Sequence, residues 1–149
     1  MRPGASAKLG ERAALGGGEV LPLAFLLLVV AILVITNAWA VVDARLAASA
    51  ASRESTRAAV EAPTDPIGVG ERAGREALAA FGRGAAEAIV EVAAPRGLGR
   101  CAPVVTTVTL LVPAFSLPWV GGIGEVSVTA RHHELIDPYR NDVPDGGCA

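Results

Sequence analysis

Lysine is almost absent from the sequence: Lys8 is the only one among 149 residues, and all other basic residues are arginines. Acidic and basic residues nearly balance, which leaves a formal net charge of −2. No segment gathers its arginines into the basic patch or stripe that proteins use to bind phosphate backbones. Nucleic acid is therefore not an expected partner.

Cysteine is also scarce, with Cys101 and Cys148 as the only two. They form no CxxC or Cys/His pattern of the kind that binds zinc, so no metal is expected from them. A disulfide is the natural interpretation if this part of the chain lies outside the cytoplasm, and two unrelated thiols are the alternative. The bridge would close a loop of about 48 residues and contribute roughly 3–4 kcal/mol to stability.

Sequence signatures of catalysis are missing as well. There is no GxSxG, Walker A or HExxH motif, and the glycine pairs of the chain do not make a nucleotide-binding fingerprint. His132, His133 and Glu134 are the only grouping that suggests metal chemistry, and on a strand His133 would point away from the other two. The sequence predicts no enzyme and no cofactor; a membrane-bound enzyme that uses this trio is a minor alternative.

The longest feature that is present is an uncharged run of 23 residues, Val20–Val42, between Glu19 and Asp43. As a helix it would be roughly 35 Å long, enough to cross a hydrocarbon layer of about 30 Å. We expect a transmembrane helix over residues 19–42. The alternative is a signal peptide cleaved after Ala40, because Ala38-Trp39-Ala40 has the A-x-A form, although Trp39 also suits a membrane interface.

This run divides the chain into a disordered leader, residues 1–18, the transmembrane helix, and one small domain, residues 43–149. Residues 43–62 contain no glycine or proline, so the helix should continue to about Ala62 as an amphipathic extension and end at Pro63 and Pro66. Its expected small-residue stripe is Leu46, Ala47, Ala50, Ala51 and Ala58.

The remaining sequence predicts a second helix and then strands. Apolar residues recur every three to four positions over Gly70–Ala94, with Gly82 and Gly84 as a weak point or kink. The period then changes to two over Val104–Val112, which should end at Pro113, and over Glu125–His133, with a loop between them. The predicted fold class is α+β: one long helix, a second helix and a small antiparallel hairpin or sheet.

Charges next to the apolar run do not indicate its orientation. Three basic residues precede the run and three follow it closely, so the positive-inside rule gives no preference. The cysteines lie on the C-terminal side, and disulfides form outside the cytoplasm. We therefore expect a single-pass cell-membrane protein with a cytoplasmic N-terminus and an extracytoplasmic domain.

The start of the run resembles a pilin-type processing site. Gly16, Gly17 and Gly18 precede Glu19, and Pro22 suits the first turn of a helix. A Glu, an apolar helix with an early proline and an Ala/Arg-rich extension (DARLAASAASRESTRAAVEA) are similar to the TadE-like family, the pilin-like minor components of tight-adherence (Flp-type) pilus systems. The closing segment VSVTARHHELIDPYR also resembles the end of such proteins.

This resemblance implies a structural or assembly role among pilin-like subunits, pilus assembly proteins and membrane lipid. It further implies that Glu19 pairs with the amine of a neighbouring subunit. One departure concerns cleavage, since pilin-type precursors carry Glu at the fifth mature position, whereas cutting within Gly16–Gly18 would place Glu19 at the first, second or third. The alternative function is a secreted soluble binding domain released after Ala40.

Overall fold

A computed structural model of the protein describes residues 20–84, 88–117, 119–144 and 148. The chain divides into two compact units, Met1–Ala38 and Trp39–Ala149. Three strands form one antiparallel sheet in the order β1-β2-β3. This arrangement confirms the predicted α+β class. The elements in chain order are α1 (Val20–Glu61), α2 (Pro66–Ala80), β1 (Ala88–Ala93), β2 (Pro103–Leu117) and β3 (Gly121–Leu135).

Helix α1 contains 42 residues and, as predicted, continues from the apolar run to just before Pro63. Its second half buries one face made of small side chains, while Leu46 is exposed because it lies on the far side of the helix from Ala44. The prediction that Leu46 joins the buried stripe is therefore wrong. The buried side chains of this face are all small; they are Ala44, Ala47, Ala48, Ala51, Ser52, Ser55, Thr56 and Ala59.

Helix α2 differs from the predicted helix Gly70–Ala94, which is wrong at both ends. Its N-cap is Asp65, whose carboxylate accepts a hydrogen bond of 3.2 Å from the Gly68 N–H, and Pro66 is the first helical residue. It ends where Gly82 takes a φ of 71° and donates its N–H to the Ala79 carbonyl, a Schellman-type stop. Gly82 thus ends the helix instead of bending it.

Strand β1 occupies residues that the periodicity had placed on the second helix. Its pairing with β2 runs from Ala88 opposite Leu110 to Ala93 opposite Val105. Val92 is buried, as expected for an apolar residue, but on the core face of a sheet. The β-branched residues Ile89, Val90 and Val92 favour a strand, and pairing with β2 satisfies its backbone groups.

Strands β2 and β3 form a hairpin longer than predicted, although the two predicted strands both lie within it. Pairing continues to Leu117 opposite Gly121, so the predicted end at Pro113 and the predicted loop over 114–124 are wrong. Beyond Leu110, where the pairing with β1 stops, β2 is an edge strand, and proline is tolerated at such an edge.

The core lies between the small-residue face of α1, helix α2 and one face of the sheet. One cluster contains Ala44, Ala47, Ala48 and Ala51 of α1 together with Leu78, Val90, Val108, Leu110, Val112 and Val128. A second cluster contains Ala59, Val92, Val104 and Ile136. The two helices thus cover the apolar face of the three-stranded sheet, which a hairpin could not bury alone.

Candidate functional site

The first half of α1 is the most conspicuous candidate site. Side chains from Val20 to Val42 are exposed or only partly buried in this structure. Among the residues that the structure describes, one helix, α1, is long and apolar enough to cross a membrane by its length and composition. So large an exposed apolar surface is unfavourable in water, because removing one apolar side chain from water stabilises a protein by roughly 1.5–3 kcal/mol.

Two polar side chains in this segment are satisfied by the helix itself. The Thr36 hydroxyl donates to the Ile32 carbonyl, at 2.9 Å, or to the Leu33 carbonyl, at 3.0 Å. The side-chain amide of Asn37 donates to the Leu33 carbonyl at 2.7 Å. Polar groups within a bilayer require such partners, because no water replaces them there. These bonds lower the cost of placing Thr36 and Asn37 near the membrane interface.

The predicted processing residues are only partly visible. Gly16, Gly17, Gly18 and Glu19 lie outside the described residues. Pro22 is the third residue of α1, within its first turn, where the missing N–H would have no partner inside the helix. The role of this group in processing or assembly stays a prediction.

The domain side of the apolar run carries an ion pair. Asp43 is the first charged residue after the run, and Arg83 donates to its Oδ2 atom at 2.9 Å. The Arg83 side chain is largely buried, at 18% exposure, whereas that of Asp43 is half exposed. The pair ties the segment that follows α2 to the part of α1 where the domain begins.

The two cysteines form the predicted disulfide between Cys101 and Cys148, with their Cα atoms 5.3 Å apart. Backbone hydrogen bonds hold the chain next to this bridge. The Cys101 N–H donates to the Ile136 carbonyl, the Ile136 N–H donates to the Ala102 carbonyl, and the Arg100 N–H donates to the Pro144 carbonyl. The disulfide therefore joins segments that the backbone already aligns.

Arg140 was not singled out by the sequence, yet it connects the tail to the end of α1. Its guanidinium donates to the carbonyl of Val60, to that of Ala62 at 2.7 Å, and to the Asp142 carboxylate at 2.7 and 2.9 Å. The hydrogen bond with Asp142 lowers the pKa of that carboxyl and raises the pKa of Arg140.

The arginine stabilises the C-terminal end of α1. The last carbonyls of a helix lack intrahelical partners and carry partial negative charge, which a cation stabilises. The last turn of α1 contains no basic residue of its own. That lack, together with a lone arginine in the turn-rich tail, is the signal that could have identified Arg140. A shallow depression of about 420 Å³ lies beside it, lined by Val60, Glu61, Pro63, Asp137, Tyr139, Arg140 and Asp142.

His132 and Glu134 share one face of β3, as predicted, and their Nε2 and Oε1 atoms are 3.2 Å apart. The ring of His133 lies 6.4 Å from that of His132, measured between centroids. Among the residues that the structure describes, no three His, Cys, Asp or Glu side chains form a group that could hold a metal ion. The contact between His132 and Glu134 is a polar pair along one strand.

Comparison of the chain with protein-family models, with curated proteins and with solved structures finds no match. Its function must therefore be inferred from its own geometry. The arrangement comprises a helix that suits a membrane, a disulfide-bonded domain built on the second half of that helix, and a tail fastened to the helix end by Arg140.

Proposed function

We propose that the chain is a single-pass membrane protein that serves as a TadE-like, pilin-like minor component in the assembly of a tight-adherence pilus or a related secretion apparatus. The observation that carries this proposal is the continuity of α1. One helix supplies both the apolar segment Val20–Val42 and the small-residue face on which the domain folds. A structural subunit of this kind would carry its membrane segment and the buried face of its domain on one helix.

The disulfide supports an extracytoplasmic position for residues 43–149. Both cysteines of the chain are used in the bridge, and such bridges persist in oxidising compartments. The N-terminus would then be cytoplasmic. In this orientation Trp39 occupies the outer interface, where tryptophan is enriched in spanning helices.

Glu19 supplies the proposed assembly contact, by analogy with the pilin-type pattern. Its carboxylate would pair with the amine of a neighbouring pilin-like subunit at the edge of the bilayer. Such a pair is stronger there than in water because the lower dielectric increases the Coulomb attraction. Pro22 would favour a helix start close to that carboxylate.

Two experiments test this function in cells. A membrane-impermeant thiol reagent, applied to intact cells after mild reduction, should label Cys101 and Cys148; labelling only after lysis would reverse the topology.

Glu19→Gln should reduce recovery of the protein with its assembly partners, whereas Glu54→Gln, at an exposed position on the domain half of α1, should not. Equal recovery for both variants would remove the assembly role of Glu19.

A secreted binding domain is the second candidate, and one observation favours it. The compact unit begins at Trp39 and its first fully buried residue is Ala44, so cleavage after Ala40 would leave the core intact. N-terminal sequencing separates the alternatives. A mature protein starting at Val41 supports secretion, a start at Gly17, Gly18 or Glu19 supports pilin-type processing, and an intact leader supports an anchor.

A further inference from the structure

The end of the β2–β3 hairpin is both apolar and exposed. The 15 residues from Leu110 to Gly124 contain no charge. Phe115 and Ile123 lie opposite each other on the two strands and are each about half exposed, and Trp119 in the turn is fully exposed. Exposed apolar patches of this kind commonly mark a surface that contacts a membrane or another protein.

Contacts inside the domain show the direction in which the hairpin points. Val104 of β2 belongs to the same cluster as Ala59 of α1, and the Thr106 hydroxyl lies 3.3 Å from that of Ser55. Farther along the strand, Val112 belongs to the cluster that contains Ala44. Strand β2 therefore runs antiparallel to this half of α1. The hairpin turn lies at the end of the domain where the chain enters from the apolar run.

The hairpin also extends beyond the core at that end. The five residues that follow Val112, up to Leu117, add about 17 Å of extended strand. The hairpin turn thus extends beyond the last core residues of β2.

We propose that the hairpin tip, residues 113–117 and 119–124, inserts into the interfacial layer of the same bilayer that the apolar half of α1 crosses. This inference rests on the proposed membrane anchoring. The anchor holds the domain close to the bilayer, and the tip presents aromatic and aliphatic side chains without a charge. A tryptophan at the turn matches the preference of this residue for the headgroup region.

The backbone of the hairpin sets the depth of insertion. Beyond Leu110, β2 has no β1 partner along one edge, and such an edge cannot lie in hydrocarbon without losing its hydrogen bonds. The tip therefore rests among the headgroups, where water still reaches the edge. It gives the domain a second contact with the membrane beside α1 and so restricts how the domain can tilt and rotate.

Tryptophan fluorescence in vesicles tests the proposal with the full chain. The protein has two tryptophans, Trp39 and Trp119. Trp39→Phe leaves Trp119 as the only reporter, and Trp119→Phe leaves Trp39. Each variant is reconstituted in phosphatidylcholine vesicles whose lipids carry bromine at a shallow or a deep acyl position. A third variant, Trp39→Phe/Trp119→Phe/Tyr139→Trp, places the reporter at an exposed aromatic position in the tail.

The expected result is a blue-shifted Trp119 emission that the shallow bromine quenches more than the deep one. The reporter at position 139 should keep the emission of a water-exposed indole in both lipids. Quenching of Trp39 without quenching of Trp119 would overturn the hairpin proposal while leaving the anchor in place, and would assign the tip to a protein partner. Absence of quenching for Trp39 as well would overturn the membrane anchor itself.

Discussion

The hydroxyl groups of Ser55 and Thr106 lie 3.3 Å apart in the core, where they join α1 to the central strand β2. Both side chains are completely buried. This polar contact sits between two apolar clusters, one around Ala44 and the other around Ala59. It links the helix that carries the proposed anchor to the middle of the sheet.

Removing one partner of this hydrogen bond should destabilise the domain more than removing both. Ser55→Ala leaves the Thr106 hydroxyl buried without this partner, which should lower the free energy of unfolding by about 1–3 kcal/mol. Ser55→Ala/Thr106→Val removes both polar groups and should recover most of that loss. Urea unfolding of the oxidised, detergent-solubilised protein measures the difference, with the exposed Ser127→Ala as control. A double variant no more stable than Ser55→Ala would contradict the prediction.

Close packing between α2, α1 and β1 depends on the absence of a side chain at Gly74. A Cβ atom there would lie 2.9 Å from Cγ1 of Val90 and 3.1 Å from Cβ of Ser55, both of them in the core. Gly74→Val should therefore lower the free energy of unfolding by about 1–3 kcal/mol, the usual effect of overpacking. Thermal unfolding followed by circular dichroism measures it.

Gly84→Val is the matched control, because a Cβ atom at Gly84 meets nothing within 4 Å. The midpoint of its thermal unfolding should stay close to that of the unaltered protein. Equal midpoints for Gly74→Val and Gly84→Val would show that α2 can move away from α1 without loss.

The long helix was predictable from the sequence because its signals are local. The apolar run, the stretch without glycine or proline, and Pro63 together set the bounds of α1. The prediction that the second helix continues to Ala94 was wrong because Ile89 and Val92 fit both a helical and a strand period. Only the pairing with β2 decides between the two structures. Asp65-Pro66 and Gly82 did carry the correct start and stop signals, as an N-cap with a following proline and as a C-terminal glycine.

The site was predictable where it depended on composition and not where it depended on tertiary contact. The membrane-competent segment and the pairing of Cys101 with Cys148 followed from length, charge and the presence of only two cysteines. The role of Arg140 depends on its hydrogen bond to the carbonyl of Val60, which lies 80 positions earlier in the sequence. No local sequence pattern encodes such a contact. The hairpin tip was missed because Pro113 and the glycines after it suggested a loop.

The ion pair of Arg140 and Asp142 should make the folding stability of the domain depend on pH. The hydrogen bond from Arg140 lowers the pKa of Asp142 in the folded state below its ordinary 3.8. A carboxylate of this kind stabilises the fold above its unfolded-state pKa, and the contribution disappears as the pH falls through the lower, folded-state value. The stability advantage over Asp142→Asn should thus be constant from neutral pH to about pH 4 and then vanish.

Thermal unfolding of both proteins between about pH 7 and about pH 2 tests this dependence. The effect should be small, because the pair is at the surface. Arg140→Lys provides a second comparison, since lysine keeps the charge but cannot form the planar fork that reaches the carbonyls of Val60 and Ala62. It should unfold at a lower temperature at every pH. A pH-independent difference between the protein and Asp142→Asn would show that the pair does not contribute.

The disulfide should carry a large share of the stability of so small a domain. Cys101 and Cys148 are separated by 47 positions, and closing a loop of that size contributes roughly 3–4 kcal/mol in the loop-entropy description. Cys101→Ser/Cys148→Ser should therefore unfold at a clearly lower urea concentration than the oxidised protein, and chemical reduction of the unaltered protein should produce the same shift. Because the hydrogen bonds from Cys101 to Ile136 and from Ile136 to Ala102 remain possible after reduction, the reduced domain should still fold. A reduced protein with an unchanged midpoint would show that these backbone contacts alone hold the tail, and that the disulfide adds nothing to the fold.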